Sequence, residues 1–560
     1  MDNTTLIIVV LPCAIVPVLI VVTSIIKLKT LITGILFVVF FNASGQNYSQ
    51  IVDSLFEHSS GEIAPGFSIA IIKDDTVICQ QSYGYATIKH KIKLDERTNL
   101  AIASCSKQFT AYCILLLEQE GKLHLTDDIR KYIPELPDYF STITIKHLLS
   151  HTSGIRDHIV MLGWESKQKE KYYDFEGTLE ALKKFNGLSF VAGEDFAYSN
   201  TGYVLLALIV EKVSGLKFHT FTTKHIFEPL GMSNTHFSFR RELEVTNPYR
   251  YNLKKEKFNE FTHKEVNALG ATGIYTTIAD FILWDKYLSN PPTDKVSLLD
   301  KMFSSDTLNN GQSVNYNFGF KHRKFKGYQI VEHSGGWANY NFQYTRIPEL
   351  DISIVIGSNN GYYYPIGMAE KLLEKIIPDD RIMSHNVSTL INLPDSFQNQ
   401  FVCKDFSSCR ITYTNDKYII TGKSLYGAKN YPIQTTEDGI VTDSSGNNIL
   451  FNPTDTSFIW FGGAYFNTPR LFEVNSPIDS NSLFEYTGVF YSHELGKLKV
   501  KYNKNAGNFK LKTSFGTNPR VLSYENRLIK TNKDYDIILL NENSLLLGNW
   551  LVRVKFEKKR

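Results

Sequence analysis

The chain has 560 residues, 43% of them hydrophobic and 21% charged, which is ordinary for a globular protein and long enough for more than one core. Lys and Arg number 60 against 57 Asp and Glu, with no basic stripe, so net charge supports no nucleic-acid partner. Six cysteines are too few to read as a disulfide scaffold.

In chain order, residues 5–26 come first, an apolar run long enough to span a bilayer but interrupted by Pro12 and Pro17. Lys27 and Lys29 then precede a second apolar run, LITGILFVVFF, followed by Asn42-Ala-Ser-Gly-Gln. That order of charge, apolar stretch and small residues is a signal-peptide pattern with cleavage near Gly45. It predicts that translation starts near residue 26 and that the chain is exported, periplasmic or extracellular. The alternative is a membrane anchor formed by residues 1–46. Gln46 at the mature N-terminus would support export, and Met1 would support the anchor.

From residue 47 to 385 helical and strand periodicities mix. A short amphipathic helix is expected over Ser49–His58, then an antiparallel hairpin of Gly66–Ile72 and Thr76–Cys79 around Lys73-Asp74-Asp75. Helices follow over Ser104–Glu120, Thr144–His151, Gly177–Phe185, Gly202–Ser214 and Ile278–Leu288. Strands return at Gln329–Glu332, Tyr340–Arg346 and Asp351–Gly357, before a last helix over Met368–Ile376. This order predicts an α+β domain, one antiparallel sheet flanked by helices and split by a helical subdomain. A cleft between the two parts is the natural place for a site.

Residues 394–560 have another texture. Short alternating runs such as Arg410–Tyr413, Tyr418–Thr421, Phe458–Phe461, Leu498–Tyr502, Asn508–Lys512 and Trp550–Phe556 recur between Gly, Asn and Asp turns. They predict an all-β, barrel-like C-terminal module with a weak internal repeat of two halves. Cys79 and Cys113 lie in apolar runs and read as core; Cys403 and Cys409 are spaced to close a short loop in an oxidising compartment.

The chemistry is concentrated in Ala103-Ser-Cys-Ser-Lys. Ser104 and Lys107, three residues apart at a helix start, share one face, so the amine reaches the hydroxyl. Ser106, next to Lys107, points away. A serine hydroxyl becomes a good nucleophile only when a base removes its proton, and a lysine serves only if burial lowers its pKa far below about 10.4. Alone, S-x-x-K far more often describes a capping serine followed by a solvated lysine. Two further stretches weigh against that reading: Tyr198-Ser199-Asn200 before one helix, and His333-Ser334-Gly335-Gly336 at the end of a strand.

With these three motifs in order, the chain resembles the serine β-lactamase and penicillin-binding protein superfamily, in the branch of class C β-lactamases, D-specific peptidases and related esterases. The second element takes a Y-x-N form and the third H-S-G in place of K-T-G. Flanking segments Thr144–Gly154, Gly270–Asp280 and His333–Trp337 also look like family text, and the resemblance covers about residues 48 to 377. It implies an acyl-enzyme on Ser104, with Lys107 and Tyr198 sharing its proton. Tyr198 would then protonate the leaving group and activate water. The resemblance further implies that Asn200 holds Lys107 and a substrate amide, and that His333 donates to Tyr198 or to a substrate carboxylate. Backbone amides of Ser104 and Gly336 would form the oxyanion hole, with Gly335 and Gly336 permitting close approach and Ser334 lining the substrate side.

No cofactor and no metal is implied. His147 and His151 have a metal-compatible spacing but no H-E-x-x-H glutamate, and fit a helix end better. Cys105 reads as packing rather than as a thiol nucleophile. The expected partner is a small-molecule or peptide substrate, and the expected activity is that of an exported serine hydrolase cleaving amide or ester bonds, D-amino-acid peptides among them. The rivals are a β-lactamase and a penicillin-binding sensor that acylates without turnover. The natural substrate and the oligomeric state are not written in the sequence.

Overall fold

The computed structural model describes residues 48–56 and 63–378, apart from 140, 165–173, 240–245, 253, 262–267 and 363–364, together with the strands between 400 and 558. Residues 1–47, with the expected export or anchor segment, and the side chains of Cys403 and Cys409 lie outside the described residues. Among the described residues no helix is long and apolar enough to cross a membrane. Residues 48–56 form a helix in a unit of their own.

The second unit begins with strands β1 (Phe67–Lys73) and β2 (Thr76–Tyr83), paired antiparallel. Asp74 and Asp75 both have positive φ, 47° and 56°, the conformation a two-residue hairpin needs to match the twist of its strands. The helices that build the site are α1 (Lys107–Gln119), α2 (Ile145–Leu149), α3 (His158–Trp164), α4 (Phe175–Lys184), α5 (Asn200–Ser214) and α6 (Ile278–Ser289). Five more strands follow, β3 (Tyr316–Asn317), β4 (Phe320–Phe325), β5 (Tyr328–Trp337), β6 (Tyr340–Ile347) and β7 (Ile352–Ser358), and then helix α7 (Pro365–Ile376). The seven strands form one sheet in the order β3-β4-β5-β6-β7-β1-β2, every neighbour antiparallel.

Burial explains the order. β7 is buried at every residue and β1 at all but its last, so both need cover on two faces, and they take interior places in the sheet. Helix α6 packs on β1 and β7, and α7 on β6 and β7. Helix α1 is buried from Lys107 through Leu117, including its polar residues, which marks it as a core helix rather than a surface one. It packs against α5, which is buried from Thr201 through Val210 and also meets α2.

The C-terminal part holds only strands among its described elements. Eight run from Gln400–Val402 to Arg470–Val474, and the first pairs with the last, closing a barrel. Another eight run from Gly488–Ser492 to Arg553–Lys558, again with the first beside the last. These are the two halves suggested by the strand spacing. Apolar residues of the second set, among them Phe490, Val500 and Phe556, form one core with Met161 and Leu162 of α3, Ala181 of α4 and Phe185 at the end of α4. The second set of strands thus seats on the helical subdomain.

Candidate active site

Ser104 does not begin an α-helix. It lies in a 3-10 turn, Ala103–Ser106, whose C-cap is Lys107. Three residues per turn bring positions i and i+3 into line, so the tighter helix aligns the two side chains better than an α-turn would. Lys107 Nζ is 3.1 Å from Ser104 Oγ. The turn is anchored on both sides: Ile102 N–H donates to the Ile274 carbonyl at 3.1 Å, and β5 presses against it at Gly335. A Cβ on Gly335 would stand 2.0 Å from the Ile102 carbonyl oxygen and 3.1 Å from Ser104 N. Gly336, by contrast, would meet only the tip of the Asn341 side chain, at 3.4 Å. Close approach therefore requires glycine at 335 and not at 336.

Lys107 is completely buried and its ammonium has three acceptors: Ser104 Oγ, Asn200 Oδ1 at 2.9 Å and the Ala271 carbonyl at 2.8 Å. Burial lowers its pKa from 10.5 to about 7, against an opposing pull from Asp157. When neutral, the amine can keep two N–H bonds, to Asn200 and Ala271, and turn its lone pair to Ser104. Of the three neighbours only the serine has a proton to give.

Asn200 opens α5 and is itself held by Asp157, a buried carboxylate that accepts from Asn200 N at 2.7 Å and from Asn200 Nδ2 at 2.9 Å. With Nδ2 bound to a carboxylate and Oδ1 to an amine, the amide has one sensible orientation. Nδ2 is thereby committed partly to Asp157, where the resemblance implied a substrate amide. The Tyr198 phenol lies beside Ser104, which opposes the rise in its pKa, and its ring lies 4.9 Å from Lys107 Nζ. Desolvation drives its pKa well above 10, so the resting tyrosine is protonated and the base of the pair is Lys107.

His333 differs from the expectation. It is buried, Nδ1 lies 2.6 Å from the Ser334 carbonyl and Nε2 3.0 Å from Tyr316 Oη. A carbonyl only accepts, so Nδ1 carries the hydrogen and Nε2 accepts from Tyr316. Burial, with Lys321 and Lys107 nearby, pushes the ring well below 6.5. It is therefore neutral, and its one N–H is spent on its own strand rather than on Tyr198 or a substrate carboxylate. Ser334, half-buried, and Gly336, exposed, complete the strand edge beside the nucleophile.

The remaining motif residues are structural. Cys105 is buried, donates to the His333 carbonyl at 3.2 Å, and burial pushes its thiol up, away from thiolate. Ser106 Oγ accepts from Ile274 N–H at 3.4 Å. His147 caps α2, with its Nδ1 accepting from Thr144 N–H at 3.2 Å. Among the described residues no cluster of three His, Cys, Asp or Glu is arranged for a metal ion. Sequence reasoning missed Asp157, the Ala271 carbonyl and Tyr316. Asp157 stands between two other ionisable residues in Ile155-Arg-Asp-His-Ile-Val, so nothing local marks it as buried.

Comparison with known proteins identifies a family and a fold. The family described as Beta-lactamase matches residues 52–374. Penicillin-binding protein 4* of Bacillus subtilis (strain 168) is 31% identical over 333 residues, 56% of this chain and 72% of that protein. Protein flp of Staphylococcus aureus (strain MRSA252) is 30% identical over 364 residues, 63% of this chain and 70% of that one. Among solved structures, the octameric penicillin-binding protein homologue from Pyrococcus abyssi shares the fold with a TM-score of 0.52 at 22% identity, over 76% of this chain and 99% of that chain.

Proposed function

Because the chain belongs to the beta-lactamase family, we propose that it is a serine hydrolase that forms an acyl-enzyme on Ser104 and cleaves amide or ester bonds, including those of D-amino-acid peptides. The observation that carries this reading is the buried Lys107 amine, 3.1 Å from Ser104 Oγ with its pKa lowered to about 7. A base poised near working pH is what a serine nucleophile requires.

In the proposed reaction Ser104 Oγ bonds to the substrate carbonyl carbon as its proton passes to Lys107 Nζ. The carbonyl electrons move to oxygen, and the oxyanion is held by the Ser104 and Gly336 amides. Collapse breaks the bond to the leaving group, which takes the Tyr198 proton while Lys107 returns one to the phenol. Water then attacks the acyl carbon by the same route, and Ser104 leaves with its proton restored.

The third motif bears on the substrate. A neutral His333 with its N–H already engaged offers no cation to a carboxylate beside the scissile bond. This favours esters and amides lacking that carboxylate over β-lactams as turned-over substrates. The name of the Bacillus relative supports penicillin as an acylating probe. The charged and apolar pattern before Gly45 supports export, which N-terminal sequencing of the mature protein tests.

The test of function is labelling of the wild type and of Ser104→Ala with a fluorescent fluorophosphonate and a labelled penicillin, followed by ester, D-peptide and β-lactam panels. Labelling and turnover of esters or D-peptides in the wild type alone is the expected result. Labelling that survives in Ser104→Ala removes this serine from the mechanism, and labelling without turnover of any panel member indicates a sensor instead.

A further inference from the structure

His151 ends α2 in a conformation that few side chains adopt, with φ at +58°. Histidine is among the non-glycine residues that tolerate this region. The turn points its carbonyl and its ring the same way, toward the segment that carries Tyr198. The His151 carbonyl accepts from Ala197 N–H at 3.1 Å, and His151 Nδ1 accepts from Ser199 N–H at 3.1 Å. One residue therefore grips the amides on both sides of Tyr198. Because an amide can only donate, Nδ1 is the bare nitrogen and the hydrogen sits on Nε2. The ring is buried and lies 4.3 Å from the Tyr198 ring, 4.4 Å from Tyr316 and 5.1 Å from Tyr203, centroid to centroid. The phenol is thus fixed through its backbone and along one flank of its ring.

We propose that His151 is a positioning residue for Tyr198, holding the phenol against Ser104 through the Ala197 and Ser199 amides. The proposal rests on the reading that Tyr198 moves protons during acylation and leaving-group departure. His151 touches neither Ser104 nor Lys107 through a hydrogen bond, so its effect on the reaction must pass through the tyrosine.

Two substitutions separate this role from plain packing. His151→Asn places Oδ1 at the same number of bonds from Cα as Nδ1, and asparagine tolerates the left-handed turn. His151→Gln moves the acceptor one methylene further out and loses that registry. Both remove the ring, so the packing loss is shared. With an ester substrate, His151→Gln is expected to lower kcat about 10²-fold, the scale of a misplacement of about 1 Å, with KM changed less than about threefold. His151→Asn is expected to recover at least about tenfold of that loss and to melt above His151→Gln, because glutamine strains the left-handed turn that asparagine tolerates. In a Tyr198→Phe background His151→Gln should add little further loss, because the group it positions is already gone.

Equal kcat in the Asn and Gln variants overturns the proposal, as does a near wild-type rate in His151→Gln. Full additivity with Tyr198→Phe overturns it too, by showing that His151 acts elsewhere. A wild-type rate in Tyr198→Phe alone removes the role of the tyrosine and, with it, the inference. Slow Tyr198→Phe beside normal His151→Gln sinks only the positioning role.

Discussion

The lowered pKa of Lys107 makes a quantitative demand on how acylation responds to pH. At pH 7 a lysine with its ordinary pKa of 10.5 is neutral in a fraction of ~3 × 10⁻⁴ of molecules, whereas one at about 7 is neutral in about half, a gain on the order of 10³ in competent base. Only the neutral amine can take the Ser104 proton, so activity is lost as pH falls through about 7 and is complete above it. Between pH 5 and pH 8 the neutral fraction rises from ~0.01 to ~0.9, so the acylation rate constant should rise roughly 90-fold and then level. The other groups at the site do not blur this step. Burial holds His333 and His151 well below 6.5, and Tyr198 well above 10. The assay is the second-order rate constant for fluorophosphonate labelling of Ser104 from pH 5 to pH 10. A rate that climbs tenfold per unit through pH 9 describes an ordinary lysine and refutes the argument. A flat profile from pH 5 to pH 8 refutes it as well.

Other expectations follow from single contacts. Asp157→Ala removes the acceptor of both Asn200 bonds and should slow labelling about 10- to 100-fold without loss of fold, checked by circular dichroism alongside the rate. The same change removes the charge that supports the Lys107 ammonium, so the inflection in the pH profile should move to lower pH. Gly335→Ala sets a methyl 2.0 Å from the Ile102 carbonyl, and the forced shift should cost about 3 kcal/mol in a denaturant titration and abolish labelling. Phe185→Ala removes a ring shared by α4 and the C-terminal strands, which should cost about 3–5 kcal/mol; a loss below about 1 kcal/mol would mean that this seat does not stabilise the protein.

Much of the architecture was legible because local rules and burial agreed. The apolar run before Lys73 and the Asp-Asp pair dictated a hairpin, and both elements occur with β1 extended to Lys73 and β2 to Tyr83. Helix α6 runs from Ile278 to Ser289, where periodicity put Ile278–Leu288, and strand β5 extends from the expected Gln329–Glu332 through Trp337. That extension could not be read locally, since Ser334-Gly-Gly carries no strand propensity. It pairs with β6 because the nucleophile turn and β6 cover it on both sides.

The sequence by itself determined which chemical groups are present and one essential spacing, the three-residue step from Ser104 to Lys107. Helical geometry turns that spacing into contact without help from the rest of the chain. Tertiary structure decided everything that depends on solvent and on distant neighbours. The Lys107 acceptors lie 93 and 164 residues away, and the Cys105 contact to His333 spans 228. No local pattern encodes the burial that brings an amine to neutrality near pH 7, keeps Tyr198 protonated or leaves His333 uncharged. The same holds for the grip of His151 on the amides around Tyr198, which depends on a left-handed turn meeting a strandless segment. Protonation is set by what surrounds a group in space, and that surrounding exists only once the chain has packed.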